Sequence, residues 1–100
     1  MTVATSEERL ALAREGAALL YANGARNVWV FGSVALGRPQ DERSDIDLAV
    51  EALPDHLFFR MLGELLSRFP CPVDLVEMEK APPRLRENIL RNRIFLPREA

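Results

Sequence analysis

The chain has very little of what marks several common protein classes. A single cysteine among 100 residues, Cys71, cannot form an internal disulfide, so a secreted disulfide scaffold is excluded. Set between prolines in "FPCPVD", it reads as a small buried hydrophobe. The only histidine, His56, lies at a predicted helix start and reads as a surface residue rather than a catalytic base. Lys80 is the only lysine among 13 basic residues, and no function follows from that bias. There is no basic excess: a formal net charge of -2 argues against bulk electrostatic binding to nucleic acid, a local basic patch aside. No run approaches the ~20 apolar residues of a membrane span. The start, "MTVATSEERL", lacks the basic and apolar regions of a signal peptide, so a cytoplasmic protein is the expectation.

What is present is ordinary for a small globular domain, with 48% hydrophobic and 28% charged residues. Residues 1–100 are expected to form a single domain, able to bury roughly 60–70% of the surface of the unfolded chain. Thr5 or Ser6 can cap a first helix, Thr5 and Glu8 make a possible capping box, Leu10, Ala13, Ala17 and Leu20 or Tyr21 recur on one face, and Asn23-Gly24 supplies the stop. "NVWVF" (27–31) reads as a buried strand ending at Gly32. "SVALG" fits one or two helical turns and "RPQDERS" a polar loop. Strands are predicted over 45–51 and 72–78, helices over about 54–69 and 82–93, followed by a tail, "IFLPREA". The expected fold is α/β, with a small mixed sheet of about three strands flanked by helices.

Asp45 and Asp47 stand one residue apart at the start of the second predicted strand. In a strand, such residues share a face about 6.5–7 Å apart, while Ile46 and Leu48 turn the other way. Two carboxylates so close repel each other, and a divalent cation removes the repulsion; Mg²⁺ commonly uses one or two carboxylates plus substrate phosphates. A third acid, Asp74, lies between Val73 and Leu75 in the middle of a predicted strand, a poor place for a carboxylate unless it faces a site. The pair alone reads rather as a solvated strand start, with Asp45 closing a loop. Gly32-Ser33 directly after a strand shifts the balance, because glycine allows close backbone approach to a phosphate and serine adds a donor beside free N–H groups. Two rival motifs fail on their letters. A P-loop beginning at Gly32 would place Arg38-Pro39 where Lys and Ser/Thr are needed. An EF-hand beginning at Asp45 would have Val50 and His56 where Gly and Glu are needed.

Gly32-Ser33, eleven intervening residues and Asp45-Ile46-Asp47, followed by Asp74 in "PVDLV", resemble the signature of nucleotidyltransferases with the DNA polymerase β-like fold, and among them the minimal nucleotidyltransferases (MNT). The likeness is close over residues 27–77, with a spacer slightly longer than the family's. It implies transfer of a nucleoside monophosphate from an NTP, ATP being the expected one, to a hydroxyl. It would give Asp45 and Asp47 two Mg²⁺ ions to hold, Asp74 the metal that activates the attacking hydroxyl, and Gly32 and Ser33 the triphosphate. Arg38 and Arg43 are candidates for phosphate contact, with solvated arginines as the alternative.

A chain this short has little room for a domain that recognises the acceptor. Stand-alone members resemble the antitoxin of a toxin–antitoxin system that attaches AMP to a tyrosine of a helical HEPN ribonuclease toxin (AMPylation). A HEPN toxin is therefore the expected partner, in a homo- or hetero-oligomer. The apolar tail and parts of "HLFFRML" are candidate contact surfaces or core. A binding-only antitoxin that blocks its partner, and a subunit acting on a small molecule or nucleic acid, are the alternatives.

Overall fold

The computed structural model describes residues 4–99. Helix α1 (Ser6–Ala22) leads to strand β1 (Asn27–Phe31), the one-turn helix α2 (Gly32–Ala35) and strand β2 (Ile46–Glu51). A 3-10 turn runs into α3 (Phe58–Arg68), followed by β3 (Val73–Glu77), a second 3-10 turn, α4 (Pro83–Asn92) and β4 (Ile94–Leu96). The four strands lie in the order β3-β2-β1-β4. β1 is antiparallel to both β2 and β4, whereas β2 and β3 are parallel, joined by the crossover through α3.

The predicted capping box of α1 is formed: the Glu8 N–H donates to Thr5 Oγ1 at 3.1 Å, and the Thr5 N–H donates to Glu8 Oε1 at 3.3 Å. The helix stops where Gly24 takes φ +105°. The sheet is thicker by one strand than expected. Residues 94–96, read as a tail, pair with β1 in the register Val28↔Leu96, and Tyr21 fastens the join. Its hydroxyl donates to the Leu96 carbonyl at 2.6 Å and accepts from the Val28 N–H at 3.1 Å. Trp29 adds an aromatic contact to Phe95, centroids 6.1 Å apart, and carries the Arg93 guanidinium 4.2 Å above its ring. A three-residue strand is too short to show an alternation, so its pairing was set by partners distant in the chain.

Residues of alternate parity serve the two faces of the sheet. Val28, Val30, Ile46, Leu48, Val50 and Leu75 meet α1 and α3 in the main core, in which Ala13, Leu20, Met61 and Leu65 are buried. Trp29, Phe31 and Ala49 face the opposite way and meet Met78 and Ile89, with Leu85 and Val76 at the margin. That second cluster is small, because α4 is the helix that covers this face. Cys71 is half-buried against the main core rather than fully inside it.

Candidate active site

The second face of the sheet continues beyond its apolar cluster into charge. Asp47 lies two residues before Ala49 and therefore shares its face. In the sheet register it stands between Phe31 of β1 and Asp74 of β3, one residue from each adjacent strand. Neighbouring strands are about 4.8 Å apart, so the Asp47 and Asp74 carboxylates leave the sheet side by side. Asp74 is exposed on the edge strand, and Asp47 is half-buried. Asp45 departs from expectation. β2 begins at Ile46, whose N–H donates to the Pro72 carbonyl at 2.9 Å, so Asp45 sits just ahead of the ladder, exposed at the end of the loop.

Its charge is nevertheless felt. Asp47 has its pKa pushed up to about 7 from 3.8, first by burial, then by Asp45, then by Asp74. A carboxylate poised near neutrality by burial and by two neighbouring carboxylates is one that a cation would deprotonate and bind. The donor set is all oxygen, which suits a hard ion such as Mg²⁺. Among the described residues no three His, Cys, Asp or Glu side chains form a ready-made metal cage.

Gly32 is required beneath Asp47. It has φ +70°, a region costly for any residue with a Cβ, and a Cβ there would run into Asp47 Oδ2 and stand 3.1 Å from its Cγ. The glycine thus lets the end of β1 pass directly against the carboxylate. Ser33 follows at once. α2 is only four residues long, so its dipole is slight; what the turn offers an anion is the set of N–H groups that a helix start leaves without helical partners.

Arg38 and Arg43 are both exposed on the loop between the two halves of the motif. The ion pairs among the described residues join Arg60 and Arg68 to Glu64, and Lys80 to Asp55 and Glu77, so they include neither arginine. The Arg43 N–H donates to Asp41 Oδ1 at 2.8 Å, which folds the loop on itself and holds the Asp41 carboxyl below the usual range. His56 is exposed, away from the carboxylates in sequence and strand register.

Two features were not anticipated. Arg9, in the first turn of α1, is only 3% exposed and bonds to the loop that leads to Asp45. Its sequence signal is its place on the apolar stripe of Ala13, Gly16, Ala17 and Leu20, where a cation is out of keeping. The second is an apolar cleft of about 370 Å³ between α3 and the open edge of β3, walled by Phe58, Phe59 and Pro82. Its lining includes Asp55 but not Asp45, Asp47 or Asp74, whose end of the sheet is open to solvent at Asp45 and Asp74. Phe59 of "HLFFRML" is 80% exposed beside it, and in the former tail Ile94 and Phe95 are partly exposed while Leu96 is buried.

The polymerase β nucleotidyltransferase family pattern matches residues 18–99. Among solved structures, one described as a minimal nucleotidyltransferase is 32% identical, with a TM-score of 0.75, over 94% of this chain and 98% of its own. A chain from a toxin–antitoxin structure with AMP-PNP is 26% identical, with a TM-score of 0.73, over 86% of this chain and 73% of its own. The fold is shared, at 23% identity and a TM-score of 0.69, over 91% of this chain and 73% of the other, with the Shewanella oneidensis complex of a tri-AMPylated HEPN toxin and MNT antitoxin. No curated protein sequence matches the chain.

Proposed function

The chain belongs to the polymerase β nucleotidyltransferase family, and from that premise we propose that it transfers AMP from ATP to a tyrosine hydroxyl of a HEPN ribonuclease toxin, and so acts as its antitoxin. The observation that carries the reading is the row of Asp47 and Asp74 beside Gly32, with Asp45 close enough to help raise the pKa of Asp47. Support for the substrate comes from the AMP-PNP bound in the similar toxin–antitoxin structure, and for the acceptor from the AMPylated toxin in the Shewanella complex.

In this reading Asp45, Asp47 and Asp74 would hold the Mg²⁺ ions. Bound divalent ions would neutralise phosphate charge and ease deprotonation of the acceptor hydroxyl. Ser33 and the N–H groups after Gly32 hold the triphosphate so that the α-phosphorus faces the acceptor, with Arg38 and Arg43 near enough in the chain to meet its outer oxygens. The acceptor oxygen bonds to the α-phosphorus, the bond to the bridging oxygen breaks, pyrophosphate leaves, and in this reading Asp74 receives the hydroxyl proton. Such chemistry is mostly positioning and charge neutralisation, which fixed carboxylates can supply.

Incubation with MgATP and the product of the neighbouring gene tests the reading by mass spectrometry. A gain of one or more AMP masses on a partner tyrosine, lost in Asp47→Asn, is expected. An unmodified partner held tightly by both forms would replace the enzyme with a blocking antitoxin.

A further inference from the structure

Arg9 is the one buried charged residue among those described, and no carboxylate pairs with it. Its guanidinium donates instead to three neutral acceptors in the loop between the motif halves: Gln40 Oε1 at 3.0 Å, the Asp41 carbonyl at 3.0 Å and the Ser44 carbonyl at 2.5 Å. Its Nε has no partner. A cation buried in this way is unfavourable unless the loop stays closed over it. The loop is therefore held where its acceptors meet the two terminal nitrogens of the guanidinium.

A second consequence concerns Ser33. A guanidinium can only donate, so Gln40 must turn its amide oxygen toward Arg9. The amide nitrogen is then left to face the other side, where it donates to Ser33 Oγ at 3.2 Å and to the Arg38 carbonyl at 2.9 Å. Ser33 consequently accepts on this side, which leaves its own O–H to donate in another direction. Phosphate oxygens only accept, so a hydroxyl committed to donating is the form that grips them.

We propose that Arg9 and Gln40 are positioning residues of the nucleotide site: Arg9 sets the orientation of the Gln40 amide, which makes Ser33 an obligate donor to the triphosphate, and the same guanidinium fixes the path of the chain into Asp45 and Asp47. The proposal rests on the nucleotide reading above and adds to it how the grip is preset before the substrate arrives.

Gln40→Glu is the discriminating variant. It keeps an acceptor for Arg9 and makes the contact an ion pair, but both its oxygens accept, so the Ser33 proton is drawn inward. Calorimetric titration with Mg²⁺ and AMP-PNP should show affinity lowered about tenfold in the Ser33 chain, and by much less when the same change is made in Ser33→Ala. The melting temperature should hold or rise. An equal loss in both backgrounds would mean that only the added charge matters, and would overturn the proposal. Arg9→Met should speed amide exchange over residues 40–45; unchanged exchange in a folded variant also overturns it. If the wild-type chain binds no nucleotide, the nucleotide reading fails, and amide exchange alone then decides for or against the clamp.

Discussion

Asp47 and Leu48 are neighbours in one strand, yet they belong to regions with opposite demands. Leu48 turns into the face that α1 and α3 cover completely and is 0% exposed. Asp47 turns to the face where the apolar cluster of Trp29, Phe31, Ala49, Met78 and Ile89 gives out and carboxylates take over. The same two-residue period therefore builds a core on one side and a site on the other. The side covered by two helices gains stability from burial, and the side that is only partly covered holds like charges together at a cost in stability.

Breaking the charged side should give the largest effect. Asp47→Asn is expected to cut nucleotidyl transfer on the order of a thousandfold or more, equivalent to about 4 kcal/mol of transition-state stabilisation, while circular dichroism stays native. Breaking the apolar side one residue away should do the reverse. Leu48→Ala should cost about 2–5 kcal/mol in denaturant unfolding, with transfer by the folded fraction largely kept. Gly32→Ala joins the two effects: about 1–2 kcal/mol of left-handed backbone strain, and a larger loss of transfer because the new Cβ displaces the Asp47 carboxylate. A variant as active as the wild type would show that this close approach is dispensable.

The smallest effect lies in the pH dependence of the metal-free protein. Asp47 rises from 3.8 to about 7 on folding, so the folded state holds its proton more tightly than the unfolded chain. Its contribution is fully present below pH 3.8 and is lost as pH rises through about 7, by about 2 kcal/mol once solvent screening is allowed for. Melting curves at pH 5 and pH 8 should differ by somewhat more than half of this amount more in the wild type than in Asp47→Asn. Mg²⁺ at pH 8 should recover part of the difference only where Asp47 is present.

Much of this arrangement was legible in local patterns. The capping box at Thr5 and Glu8, the strand at 27–31 and the three acidic positions are written in short windows of period or composition, where backbone geometry follows from neighbouring residues. The displacement of Asp45 to the loop was less visible, because a strand's first residue depends on what pairs with it, here the carbonyl of Pro72. The cleft beside Phe59 was not visible at all, since its walls come from α3, β3 and the turn after it.

Taken alone, the residues determined the helices, the parity of the strands and the Gly32-Ser33…Asp45-x-Asp47 pattern, because these depend on sterics and spacing within a few positions. Tertiary structure decided the fourth strand and the buried Arg9. Tyr21 reaches Leu96 across 75 positions and Arg9 reaches Ser44 across 35, and whether a hydroxyl or a guanidinium is satisfied at such range is settled only when the chain closes around it.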